Sequence, residues 1–148
     1  MLYVCATPIG NLADITLRAL EVLKNADIIL CEDTRNSQKL LSHHGIINKK
    51  LVALHEHNEN EVSQNVVQWL EQNLTIVQIS DAGTPGISDP GARLCNILAS
   101  HNIYPHPLPG ACAYITLLSV SGTVNTPSLF FGFLPSKTSQ RQKQLALW

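Results

Sequence analysis

Residues 81–91, Asp-Ala-Gly-Thr-Pro-Gly-Ile-Ser-Asp-Pro-Gly, are the stretch of this chain best suited to chemistry. Three glycines and two prolines in eleven residues give a backbone that is stiff yet able to approach a ligand closely. Asp81 directly follows an apolar run, and a carboxylate there can accept hydrogen bonds from ribose or ammonium groups. The alternative is a structural turn with Asp81 as its cap. A strand-to-helix connection usually takes about two to six residues, so the length favours a functional loop. The chain has no G-x-x-x-x-G-K-[ST], and no G-x-G-x-x-G follows its first apolar run. With no phosphate cradle, a neutral or zwitterionic nucleoside fits better than a nucleotide.

Four other clusters carry reactive types. Glu32-Asp33-Thr34-Arg35 places three charges in four residues. It reads either as an acidic helix start, favoured by the helix dipole, or as an acid–base or substrate-orienting group. His55-Glu56-His57 sets two imidazoles on one face of an extended segment. No third ligand lies at a telling spacing, so a polar loop is preferred over a metal pair. Pro109-Gly110-Ala111-Cys112-Ala113 opens a helix with small side chains. That is either tight helix–sheet packing or a place where a flat ligand meets free backbone N–H groups. His43, His44, His101 and His106 have no assigned role. No Ser stands in G-x-S-x-G, so a hydrolase triad is unsupported.

These clusters need elements to position them. Apolar runs at 1–6, 27–31, 51–54, 75–80, 103–108 and 128–133 read as strands. Helical spacing is expected from an Asp14 cap onward, through 36–43 with Gly45 closing it, and over 60–73, 91–101, 111–121 and 137–147. Strand and helix alternate, which predicts an α/β fold with a mostly parallel sheet covered by helices. Ligands in such sheets sit outside the carboxyl ends of the strands, and the polar clusters fall there.

Length and composition narrow the classes. The chain has 148 residues, 45% hydrophobic and 14% charged, with a net charge of −1. That excludes a disordered chain and argues against a dedicated, strongly basic nucleic-acid module. No apolar run reaches the ~18 residues of a membrane span, and the start lacks the pattern of a signal peptide. Cys5, Cys31, Cys95 and Cys112 form no C-x-x-C pair. They read as buried free thiols of a reducing compartment, so no metal and a cytoplasmic location are expected. A turn-rich stretch at Thr123–Pro127 divides an expected cofactor-binding domain, 1–122, from a linker and the first elements of a second domain, 123–148.

Six motifs now stand in order: T-P-I-G-N-L-A-D-I-T-L-R-A-L (7–20), E-D-T-R (32–35), H-E-H-N-E (55–59), S-D-A-G-T-P-G-I-S-D-P-G (80–91), P-L-P-G-A-C-A (107–113) and G-F-L-P-S-K (132–137). Together they resemble the bacterial ribosomal RNA small-subunit methyltransferase I family, within the tetrapyrrole methylase superfamily. The match spans essentially the whole chain. Ser80-Asp81-Ala82 stands where the superfamily commonly has Gly-Asp-Pro, and the ribosomal branch carries this variant.

The resemblance implies S-adenosylmethionine as methyl donor and the ribose 2′-oxygen of a cytidine in small-subunit (16S) rRNA as acceptor. It implies a homodimer with the cofactor in a cleft between two α/β domains. This chain then looks like the N-terminal domain, with the second domain largely absent and little activity expected from it alone. Carried over by position, Pro8, Asp81, Ala82, Gly83, Ile87, Ser88, Cys112 and Ala113 are cofactor-binding. Glu32, Asp33, His55 and Glu56 are candidates for a catalytic base, which a weakly acidic hydroxyl needs. Arg35, Lys137, Arg141 and Lys143 are candidates for phosphate contacts. The alternatives are an inactive fragment acting as a binding or dimerisation module, and a small-molecule tetrapyrrole methylase.

Overall fold

A computed structural model describes residues 1–123 and 126–148. Among these residues five strands form one sheet: β1 (Leu2–Cys5), β2 (Ile28–Cys31), β3 (Lys50–Ala53), β4 (Ile76–Ile79) and β5 (His106–Leu108). Their order is β3-β2-β4-β1-β5 and every pair is parallel. The described residues also form six helices: α1 (Leu17–Asn25), α2 (Thr34–His43), α3 (Glu59–Glu71), α4 (Ala92–Ser100), α5 (Ala113–Val120) and α6 (Thr138–Leu145).

The two-residue period of the strands divides the core into two layers. In β2, Ile29 and Cys31 face a layer closed by Ala19 and Leu23 of α1 and Leu41 of α2. Ile28 and Leu30 face the opposite layer, closed by Val62, Val66 and Val67 of α3 and Leu94 and Leu98 of α4. In β4 the same split sends Val77 and Ile79 one way and Ile76 the other. Covering both faces is what makes the central strands continuous apolar runs. Each fully buried Leu or Ile contributes about 1.5–3 kcal/mol relative to exposure.

The edges are more polar than the expected two-sided burial. β3 opens with exposed Lys50, and β5 holds His106 and Pro107. Proline lacks a donor, so it is tolerated at an edge. The cap of α1 is Thr16, not Asp14. The Thr16 side chain accepts from Ala19 N at 3.0 Å, while the Asp14 N–H is spent on Asn11 O. Gly45 follows the end of α2 with φ +67°, as expected of a helix-terminating glycine.

Residues 128–133 form no strand, contrary to the sequence expectation. Among the described residues they pair with no strand, and a strand exists only through such pairing. Phe133 is 84% exposed, and Ile115, Leu117 and Val120 of α5 are also exposed. The expected boundary at 123–127 includes Val124 and Asn125, which lie outside the described residues. Among the described residues no helix is long and apolar enough to cross a membrane.

Candidate functional site

Three loops meet at the carboxyl ends of β1, β4 and β5, and backbone bonds stitch them together. The Thr7 N–H donates to Gly83 O at 2.9 Å and the Gly83 N–H returns to Thr7 O at 3.0 Å. The Thr7 hydroxyl donates to Ser80 O, and the Ser80 hydroxyl donates to Gly83 O. The Thr84 hydroxyl donates to Ala111 O at 3.1 Å. Gly110 sits so close to the end of β1 that a Cβ on it would lie 2.8 Å from Ala6 Cβ. These contacts hold the 81–91 loop as a rigid wall.

That wall borders a cavity of about 550 Å³, lined by Ala82, Gly83, Thr84, Ile87, Ser88 and Asp89. Ile9 closes one side. Cys112, Ala113 and Tyr114 at the start of α5, and Phe130, Gly132 and Phe133, close the others. Among the described residues no side chain caps the start of α5, which leaves its first N–H groups available there. Tyr114 is fixed by its hydroxyl on Ser128 Oγ, 2.6 Å, and by its ring against Phe130. The volume falls in the ~300–1,000 Å³ range of small-molecule sites.

Six of the eight residues carried over for the cofactor line this cavity: Ala82, Gly83, Ile87, Ser88, Cys112 and Ala113. Pro8 and Asp81 do not. Pro8 is buried beneath the loops. Asp81 turns toward α2, where Oδ1 accepts from Asp33 N at 3.2 Å and Oδ2 from Asn36 Nδ2 at 2.8 Å. Its carboxylate fastens the loop to the start of α2. Ile9, Thr84, Asp89, Tyr114, Phe130, Gly132 and Phe133 also line it but were not carried over as cofactor residues, although Ile9, Thr84, Asp89, Gly132 and Phe133 lie within the motifs quoted above. The aromatic residues sat in the expected sixth strand or in an apolar helix, which gave them a structural explanation already.

A second cleft, about 470 Å³, opens on the other side of the same loop. Glu32, His55, Glu56, His57, Glu59 and Arg93 line it, together with Ser88 and Asp89. His55 and His57 lie in a turn rather than an extended segment, their ring centroids 6.1 Å apart. Asn58 makes the turn, accepting from His55 N and donating to Ala53 O, each at 2.9 Å. Glu59 is 4% exposed. Its Oε1 accepts from the N–H groups of Gly91, Arg93 and Leu94 at 2.8–3.1 Å, capping α4. Those partners lie more than thirty residues away in sequence, so no local pattern announces them.

Of the four base candidates, Glu32, His55 and Glu56 come together in this cleft and Asp33 does not. Asp33 caps α2, accepting from Arg35 N at 2.8 Å, and pairs with the Arg35 guanidinium at 2.8 Å. The Arg35 side chain, then its backbone N–H, hold the Asp33 carboxyl down at about 2. Glu32 is pushed the other way, by partial desolvation and then by the carboxylates of Asp81, Asp89 and Asp33. Asp89 is also raised, by burial and then by Asp81. Arg35 is engaged, and neither it nor Lys137, Arg141 or Lys143 lines either cavity. Among the described residues, no group of three or more His, Cys, Asp or Glu is placed to hold a metal ion.

Comparison with known proteins gives three findings. The profile of the family described as Tetrapyrrole (Corrin/Porphyrin) Methylases matches residues 1–146. The chain is 52% identical over 145 residues to "Ribosomal RNA small subunit methyltransferase I" of Haemophilus influenzae, covering 98% of this chain and 51% of that protein. It is 48% identical over 147 residues to the protein of the same name from Neisseria meningitidis serogroup A, covering 99% and 50%. The chain thus spans about half the length of these curated relatives. Among solved structures, the uroporphyrin III C-methyl transferase of Thermus thermophilus covers 90% of this chain and 57% of its own, with a TM-score of 0.60 at 20% identity. That likeness establishes the fold.

Proposed function

Because the chain belongs to the tetrapyrrole (corrin/porphyrin) methylase family, we propose that it forms the donor-binding part of an S-adenosylmethionine-dependent methyltransferase. The acceptor is small-subunit ribosomal RNA, at the ribose 2′-oxygen of a cytidine. The observation that carries the reading is the cavity behind the 81–91 loop. Ile9, Ile87, Phe130 and Phe133 offer apolar faces to a purine and an aliphatic chain. The Ser88 hydroxyl and Asp89 carboxylate offer polar contacts, and a carboxylate suits a cation. These residues fit the donor. The names of the relatives, each about half identical to this chain, support ribosomal RNA as the acceptor.

When bound, S-adenosylmethionine supplies a methyl group carried on a sulfonium, chemistry that needs no metal. This chain's own part is to bind and orient. Ala82, Gly83, Ile87, Ser88, Cys112 and Ala113 form the walls, and the Thr7–Gly83 and Thr84–Ala111 bonds keep them in register. A hydroxyl acceptor must also give up a proton. Groups able to take it stand at the loop's far side, in Glu32, His55, Glu56 and Asp89. The homodimer and cytoplasmic location expected of the family belong to the same proposal.

Calorimetric titration with S-adenosylmethionine and its demethylated product tests the donor site. Saturable binding is expected, weakened about tenfold or more by Ala113→Trp, which fills the cavity. Absence of binding, or an Ala113→Trp variant that binds as well as the parent, overturns the assignment. Transfer of labelled methyl to small ribosomal subunits, followed by identification of the modified nucleoside, tests the acceptor.

A further inference from the structure

Acidic and basic residues are unevenly placed along the chain. All eleven Asp and Glu lie at or before Asp89, whereas residues 90–148 carry Arg93, Lys137, Arg141 and Lys143 and no acid. The net charge of −1 therefore hides a basic second part. Three of those cations fall within seven residues, on α6 and its cap. Lys137 and Lys143 are exposed, and among the described residues neither forms an ion pair. Arg141 reaches back to Ser136 O at 3.5 Å. Lys137 stands at the start of α6, where the helix dipole disfavours a cation, so the fold gives no reason for it.

Aromatic rings stand beside these charges. Trp148, three residues beyond α6, meets Phe131 edge to face with ring centroids 4.7 Å apart. That contact brings the end of α6 back to a segment whose Phe130, Gly132 and Phe133 line the donor cavity. Trp148 is still 60% exposed and Phe131 46%, so open ring surface remains after the two have packed together.

Exposed rings flanked by cations, with no carboxylate in the same stretch, suit a single nucleic-acid strand. Bases stack on the rings and phosphates meet the lysines. A duplex hides its base faces and would engage the charges alone. An anionic membrane would call for an amphipathic helix, and α6, Thr-Ser-Gln-Arg-Gln-Lys-Gln-Leu, has no apolar face.

We infer that Phe131, Trp148, Lys137 and Lys143 form a docking surface for single-stranded RNA beside the donor cavity. The inference rests on the ribosomal RNA reading above, and it places the strand that carries the acceptor on residues 131–148.

Fluorescence anisotropy with a labelled single-stranded RNA dodecamer of mixed sequence, and with its duplex, tests the surface. The strand is expected to bind about fivefold tighter than the duplex or better. Trp148→Ala should weaken strand binding about fivefold or more with the salt dependence unchanged, and Trp148→Phe, which keeps a ring, should retain most of the affinity. Lys137→Ala and Lys143→Ala should each lower the slope of log K against log salt by about 0.7. Lys39→Glu, at an exposed cation of α2, should leave strand binding as it is. None of these residues lines the donor cavity, so the S-adenosylmethionine titration of every variant stays as in the parent. Equal binding of strand and duplex, normal binding by Trp148→Ala, an unchanged slope in both lysine variants, an equal loss in Lys39→Glu, or no RNA binding at all would overturn the surface. Strand binding with these signatures but no methyl transfer to small ribosomal subunits would overturn the acceptor reading and leave a single-strand surface standing.

Discussion

The Gln78 side chain occupies the space that a Cβ on Gly91 would need, with Nε2 only 2.1 Å from that position. Gln78 is 1% exposed and donates to Pro90 O at 2.8 Å, so the side chain has little room to move. It points from β4 into the layer of α3 and α4 and pins the end of the 81–91 loop where α4 begins.

Gly91→Ala should therefore destabilise the fold. Two effects add: the clash with Gln78, and a backbone at φ +135°, which side-chain-bearing residues rarely adopt. A loss of about 1–3 kcal/mol is expected in urea unfolding. An unchanged midpoint would show that the loop relaxes freely and that Gln78 does not set its position.

Glu59→Ala removes the acceptor for three N–H groups, two of which belong to the buried residues Gly91 and Leu94. The expected cost is about 2–4 kcal/mol, with faster amide exchange at residues 91–94. Glu59→Gln keeps an acceptor oxygen and should lose about half of that or less. Equal losses for the two variants would argue that the charge, rather than the bonded oxygen, holds α4.

Asp33 should titrate at about 2 in the folded protein, held down by the Arg35 side chain and backbone N–H. A carboxyl lowered below its unfolded value stabilises the fold above that unfolded value. The contribution is lost as pH falls through the folded one. The window therefore runs from the ordinary Asp range, 3.8, down to about 2. Carboxyl carbon shifts measured by NMR give the midpoint directly, and one near 3.8 would mean the ion pair is broken in solution. Because the pair lies at the surface, with the Arg35 side chain exposed, no large change in overall stability is expected across this window.

The four cysteines should separate by reactivity. Cys5 is buried and its thiol is pushed up to about 12, and burial raises Cys31 as well. Neither should react with iodoacetamide at neutral pH until the chain unfolds, since the thiolate is the nucleophile. Cys112 is half-exposed on the cavity wall and should label first. Saturating S-adenosylmethionine should slow its labelling about threefold or more and leave Cys95 unaffected. Equal protection of Cys95 and Cys112, followed by mass spectrometry, would move the donor away from the cavity.

Much of this molecule was legible in its sequence. The apolar runs ending at Cys5, Cys31, Ala53, Ile79 and Leu108 became five parallel strands because apolar continuity and the helices between them allow little else. The polar clusters fell at the strand ends because a buried sheet can place them nowhere but its rim. The 81–91 motif marked the candidate cavity, and its glycines and prolines made the loop rigid. What the sequence alone did not decide is who meets whom. Asp81 faces Asn36 rather than the cavity, Asp33 is claimed by Arg35, and Glu59 caps a helix that starts more than thirty residues later. Residues 128–133 carry the composition of a strand, but a strand is made by a pairing partner, and among the described residues no strand pairs with them. Periodicity and turn chemistry are local and can be read along the chain. Hydrogen-bond partnership and the joining of two cavities across Ser88 and Asp89 depend on long-range packing, which only the tertiary structure decides.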